Sequence, residues 1–216
     1  MTIDIVAVVF GLLGAAIGFA ADALAHRWPD HEEDHKPRPR LDWRTGVLVL
    51  AGAAAFGLLG ARFGHDATAL VVYVPLFAAL LVLLATDLDQ RLLPDLVTLP
   101  LIVFAAAVLF LGVSPALQGK SLGLISGLAS GIGFPILLFI TDRIFGGGLG
   151  QGDLKLAISL GFLFGLSAFF YGLLLARIGV SVVLVALMIA RRLTMKSFIP
   201  FGPILIFAAF IAALWV

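Results

Sequence analysis

The chain has 216 residues, of which 62% are hydrophobic and only 12% charged, with a formal net charge of +1. A soluble domain carries about 25% charged residues, so the composition excludes one and marks a polytopic membrane protein. There is no cysteine, which excludes a disulfide framework, a thiolate metal site and a cysteine nucleophile.

A membrane-crossing helix needs roughly 20 apolar residues. The first apolar run covers residues 3–25. No basic region precedes it, and no small-residue cleavage site followed by a soluble domain comes after it. It reads as a retained helix rather than a removed signal. Asp22 falls near its end, at the membrane interface. Residues 26–44 form the only long polar segment, with Pro29, Pro37 and Pro39 in it. A second helix is expected at 45–61, short for a span, and then a tight turn at 62–66. A third helix is expected at 67–86, with Pro75 as a kink, and a short polar segment at 87–95 closed by Pro94. A fourth helix is expected at 96–113, a loop at 114–120, and a fifth helix at 122–140 containing Pro135.

Residues 154–190 are too many for one span at roughly 1.5 Å per residue. Gly161 and Gly165 are the places for a break, giving a sixth helix at 153–164 and a seventh at 166–190. Arg177 lies inside the seventh. A buried arginine costs about 2.5–3.5 kcal/mol on insertion scales, so it is expected to face the bundle or a partner group, or to snorkel. The last helix is expected at 200–216. The fold class is thus all-α and polytopic, with about eight transmembrane helices, short loops and one integral membrane domain over 1–216.

Positive charge distributes very unevenly among the loops. Arg27, Lys36, Arg38, Arg40, Arg44, Arg91, Arg143, Lys155, Arg191, Arg192 and Lys196 fall on one side. Arg62 and Lys120 alone fall on the other. The positive-inside rule then places both termini outside and residues 26–44 in the cytoplasm. The segments at 87–95 and 146–153 open on the same cytoplasmic face.

Between the fifth and sixth helices lies Gly146-Gly147-Gly148-Leu149-Gly150-Gln151-Gly152-Asp153, five glycines in seven residues followed by an acid. Glycine frees the backbone to turn tightly. No Gly-Lys-Ser/Thr follows, the spacing fails G-x-G-x-x-G, and no strand precedes it, so the stretch does not read as a nucleotide-binding loop.

The informative acids sit at membrane boundaries: Asp87, Asp89, Asp95, Asp142 and Asp153. Three readings stand for them. They are helix caps and solvating groups, or an ion or proton pathway, or a catalytic pair. Two carboxylates brought together at a low-dielectric rim share a proton. One then takes a proton from water while the other donates to a carbonyl, which is the chemistry of peptide hydrolysis.

The segment Asp87-Leu88-Asp89-Gln90-Arg91-Leu92-Leu93-Pro94-Asp95 resembles the first aspartate motif of type IV prepilin leader peptidases. Gly150-Gln151-Gly152-Asp153 resembles their GxGD motif, with Lys155 at the basic position that follows it. Ile199-Pro200-Phe201-Gly202-Pro203 resembles the entry to their last helix. His26-Arg27-Trp28-Pro29 is a weaker match to the end of their first helix. The pieces occur in family order and cover nearly the whole chain.

This resemblance implies a GxGD-type aspartic endopeptidase of the cytoplasmic (inner) membrane. Its substrates would be prepilins or pseudopilins with a short basic leader. Asp87 and Asp153 would be the catalytic pair, and Gly150 and Gly152 would bring Asp153 to its partner. Asp95 would support the loop. Lys155 would neutralise local charge, meet substrate, or simply snorkel. Membrane lipid is the other expected partner, and nucleic acid is not one. No cofactor or metal is expected. Bifunctional members carry paired CxxC zinc motifs in the first loop and methylate the new N-terminus with S-adenosylmethionine. The loop at 26–44 has no cysteine, which argues against the methyltransferase step. His26, His31 and His35 with Asp30, Glu32, Glu33 and Asp34 match no firm metal template. Two other classes stay open: a GxGD intramembrane protease of the presenilin type, and a proton-coupled transporter with a broken helix.

Overall fold

The computed structural model describes residues 5–29, 39–145, 150–189 and 201–215. The first-loop acids and histidines at 30–35, the glycines at 146–148, the basic residues at 191–196 and Pro200 lie outside the described residues. Among the described residues every regular element is helical. In order they are α1 (Ile5–Ala25), α2 (Trp43–Phe63), α3 (Ala67–Gln90), α4 (Asp95–Phe110), α5 (Gly123–Leu128), a π-turn (Ala129–Gly133), α6 (Phe134–Phe145), α7 (Gln151–Ile189) and α8 (Phe201–Trp215).

Among the described residues five stretches are long and apolar enough to cross a membrane: α1, α2, α3, the continuous run Gly123–Ile144, and Gln151–Val182 within α7. Helices α4 and α8 are shorter, at 16 and 15 residues. The π-turn inside Gly123–Ile144 sits where Gly131 meets Gly161 of α7 backbone to backbone.

Several expected boundaries move: the helix expected at 96–113 ends at Phe110, and the one expected at 122–140 runs on to Phe145. Helix α2 is a full 21 residues, because Asp42 caps it. The Asp42 carboxylate accepts from the N–H groups of Arg44 and Thr45, and Thr45 returns a bond to the Asp42 backbone, a reciprocal capping box. Helix α3 runs on through Asp87 and Asp89 to Gln90, so these acids are not in a loop. Polar residues end an apolar run but not a helix, and nothing stops α3 until Arg91 takes a left-handed conformation (φ 53°, ψ 37°).

Helices α1 and α2 pack through glycine. A Cβ on Gly14 would stand 2.5 Å from Phe56 Cβ, and Cβ atoms on Gly14, Gly18 and Gly52 would all run into facing backbone. Gly14 and Gly18 are four apart, the small-xxx-small pattern of close membrane helices. Asp22, expected at the interface, is instead 2% exposed. It is buried at this contact because Thr45 Oγ1 donates to its Oδ2 at 2.6 Å.

The core runs down α3. Tyr73 stacks on Phe164 of α7, and Phe77 meets Phe210 of α8 edge to face at 4.8 Å. Helix α7 reverses at Gly165 (φ 65°, ψ −174°), a conformation open essentially to glycine alone. Leu166 N–H, freed by the break, donates to Ser126 Oγ at 2.9 Å. The second half of α7 returns along α8, with Tyr171 on Trp215 and Ala176 against Ile204 and Ala208. Arg177 is exposed on the outer face of this returning half, not turned into the bundle. Ala176 and Gly172 take the inward positions against α8, which leaves Arg177 on the opposite side.

Candidate active site

Three helix ends meet at one place. The last turn of α3 carries Asp87, buried at 8% exposure. Its carbonyl accepts the Arg91 N–H at 2.9 Å, the bond that closes the helix. The first turn of α7 carries Asp153, half-buried, whose N–H donates to Gly150 O at 3.1 Å. The first turn of α8 carries Gly202, which is buried.

Gly202 measures how close the two acids come. A Cβ placed on it would lie 3.1 Å from Asp87 Oδ1 and 3.4 Å from Asp153 Oδ1. Both carboxylates therefore converge on one point, and their oxygens are no farther apart than those two distances laid end to end. Residues 66 positions apart in sequence share a site a few ångströms wide. The N-terminal ends of α7 and α8 both open here, and a helix N-terminus carries partial positive charge.

Gly152 performs a second close approach. A Cβ there would fall 2.6 Å from Leu93 Cβ and 3.0 Å from Leu93 O. Only glycine lets the start of α7 press against the Leu92–Pro94 connection. Gly150 lies beside the Asp153 carboxylate, where a Cβ would be 3.2 Å from Oδ2. Across the same gap Lys155 Nζ donates to Asp95 Oδ1 at 2.5 Å, tying the start of α7 to the start of α4. Asp95 and Lys155 thus pair with each other. Asp89 faces away, toward α2, where Arg44 donates to its Oδ1 at 2.5 Å. Asp142, near the end of α6, does not line the cleft.

The acids open on a cleft of about 560 Å³. Its polar wall includes Asp87, Asp153, Asp95, Arg91 and Lys155; Leu92, Leu93 and Leu96 with Trp28 give it an apolar wall. Among the described residues no three metal-ligating side chains cluster. The arrangement can hold a water between two carboxylates and lay an extended, partly apolar chain beside them.

Three contributors were not assigned from sequence. Gly202 was noted only within the helix-entry motif. Trp28 reaches the cleft because Gln90 Nε2 donates to its carbonyl at 3.4 Å. Arg91 reaches it through its left-handed backbone, which no local pattern announces.

Comparison with known proteins places the chain in a family. A family model described as the type IV leader peptidase family matches residues 74–216. The chain is similar to the prepilin leader peptidase/N-methyltransferase of Pseudomonas putida, 35% identical over 170 residues, 78% of this chain and 58% of that protein. It is similar to the one of Aeromonas hydrophila, 32% identical over 181 residues, 82% and 58%. It is also similar to the one of Bacillus subtilis (strain 168), 30% identical over 182 residues, 82% and 68%. The chain spans 58–68% of the length of these curated relatives. No solved structure matches the chain.

Proposed function

The chain belongs to the type IV leader peptidase family, and from that premise we propose that it is a membrane aspartic endopeptidase that removes the leader of prepilins or pseudopilins, with Asp87 and Asp153 as its acid–base pair. The observation that carries the reading is the convergence of both carboxylates on the point above Gly202. Among the described residues no other pair of acids lines the cleft at comparable depth: Asp95, the third, is paired with Lys155 at the exposed rim.

In the proposed mechanism the pair holds one proton. The ionised carboxylate takes a proton from water as the water oxygen attacks the scissile carbonyl carbon. The protonated partner gives its proton to the carbonyl oxygen. As the tetrahedral species collapses, one of its hydroxyls returns its proton to the second carboxylate and re-forms the carbonyl, the C–N bond breaks, and the amide nitrogen leaves with the proton held by the first carboxylate, which restores the pair to its one-proton state. Arg91 and Lys155 at the rim would keep the acids near the pair from accumulating negative charge. Trp28 and Leu92, Leu93 and Leu96 would take the apolar side chains that follow the cut.

The charge asymmetry of the loops supports an inner-membrane protein with the cleft on the cytoplasmic face and both termini outside. Counting the two halves of α7 separately, with α4 and α8 as short spans, supports eight crossings. We read residues 1–216 as one integral membrane domain. The relatives' names include an N-methyltransferase activity. We assign this chain the peptidase step alone, because it has no cysteine to build a zinc-bound first loop.

The test is to incubate membranes bearing the wild-type chain, Asp87→Asn or Asp153→Asn with candidate prepilins and to weigh the products. Each substitution should lower cleavage by at least about 10²–10⁴-fold, the worth of one general acid or base, with expression unchanged. A normal rate in either variant sinks the pair. A product heavier by one methyl group sinks the peptidase-only assignment.

A further inference from the structure

Beside the cleft, on the outer side of α1, lies a second pocket that the peptidase reading does not use. It has a volume of about 540 Å³ and is lined by Phe19, Ala23, His26, Arg27, Arg40 and Leu41. Its basic residues come from two fixed helix ends. His26 and Arg27 continue the last turn of α1, their N–H groups bonded to Asp22 O and Leu24 O. Arg40 and Leu41 directly precede Asp42, whose capping box starts α2. Among the described residues no carboxylate lines the pocket, and none forms a salt bridge with Arg27 or Arg40.

The pocket is polar above and apolar below. Its floor continues into an exposed apolar stripe on α1, where Ile5, Leu12, Phe19 and Ala23 are spaced by seven, seven and four residues and so share a helix face. Phe19 is 52% exposed, Leu41 68% and the neighbouring Trp43 66%, an aromatic at the level where indoles anchor helices to membranes. Two guanidiniums over an apolar groove are the complement of a phosphate monoanion carrying acyl chains. A free phosphate would use the rim and leave the floor bare.

We propose that this pocket binds the headgroup phosphate of an anionic phospholipid, with Arg27 and Arg40 clamping the phosphate, His26 donating to it, and the acyl chains lying on Phe19, Ala23 and Leu41. The site sits next to Trp28, so an occupied pocket braces the α1 end that walls the cleft.

The experiment measures lipid retention by the full-length chain in detergent, by native mass spectrometry, with phosphatidylglycerol against phosphatidylcholine of the same acyl chains. The wild type should retain phosphatidylglycerol at least about tenfold more tightly. At roughly 1 kcal/mol for each basic residue near an anionic surface, Arg27→Gln and Arg40→Gln should each weaken it about fivefold and the double variant about 25-fold. A double Lys variant should keep most of the affinity. Equal retention of the two lipids by the wild type overturns the proposal without need of any variant. So does an unchanged affinity in a folded double Gln variant, or full displacement of phosphatidylglycerol by millimolar inorganic phosphate.

Discussion

Adding one methyl group at Gly202 tests the geometry of the site more sharply than removing either acid. The Ala Cβ would stand 3.1 Å from Asp87 Oδ1 and 3.4 Å from Asp153 Oδ1, closer than nearly all Cβ contacts at the first and at the tight limit at the second. The Asp87 carboxylate must give by a few tenths of an ångström, while the Asp153 carboxylate is met at ordinary contact. A misplacement of 1 Å in a reacting group costs about 10²-fold in rate. Displacing the Asp87 carboxylate by a few tenths of an ångström relative to Asp153 should cost several-fold to about tenfold in kcat, up to about 1.4 kcal/mol of transition-state stabilisation. Gly202→Val, which brings branched bulk against the same oxygens, should lose more than about 10²-fold. Stability should move the other way. Gly202 lies in the first turn of α8 with an ordinary negative φ, and alanine there favours helix by up to about 1 kcal/mol. The assay pairs single-turnover cleavage of a prepilin peptide with thermal melting in detergent. Slower cleavage with an equal or higher melting temperature is the expected signature. Wild-type cleavage by a folded Gly202→Ala protein would mean that the two carboxylates do not act at the point where they converge.

Three further outcomes follow from the same contacts. Because the proposed pair works with one proton, kcat/KM should fall both at low pH, where both acids are protonated, and at high pH, where both are ionised; a rate flat from pH 4 to about 9 would refute a shared proton. Arg44→Met should destabilise by about 2–3 kcal/mol, since the Asp89 side chain is 2% exposed and its partner only 25%, and Arg44→Met with Asp89→Asn should recover much of that in a denaturant titration. Gly165→Ala should cost about 1–3 kcal/mol for its backbone conformation alone, and its Cβ would also meet Ser126 Oγ at 2.6 Å and Leu117 Cδ2 at 2.7 Å; a melting temperature unchanged by this substitution would show that α7 does not reverse there.

Much of the helical layout is readable from apolar run length because a membrane helix must satisfy its backbone internally. The break at Gly165 is readable for the same reason, since 39 residues of helix overrun one bilayer thickness. Where helices stop is less readable. The polar residues Asp87, Asp89 and Gln90 mark the edge of the apolar environment, and α3 ignores that edge because nothing in them breaks helix. The stop comes from Arg91, which carries no local signal for a left-handed conformation. The depth of Asp22 carries no local signal, because its hydroxyl partner, Thr45, belongs to another helix 23 positions away.

The same division runs through the candidate site. Asp87 and Asp153 stand out in sequence because charge at the end of an apolar run is costly and therefore visible. Gly150 and Gly152 stand out because glycine at a helix start is a backbone signal. Gly202 does not, since its role is to have no side chain where two others need the space, and that need exists only once α8 is laid across α3 and α7. Asp95 and Lys155 show the intermediate case: each is conspicuous alone, and only the fold shows that they hold each other. Their pairing bears on the chemistry. With Lys155 engaged by Asp95, the lysine at the cleft rim among the described residues is not directed to Asp87 or Asp153, which supports the proposal that these two carboxylates share one proton. An acid–base pair needs that condition, whereas a lysine salt-bridged to either acid would hold it ionised and take it out of proton transfer.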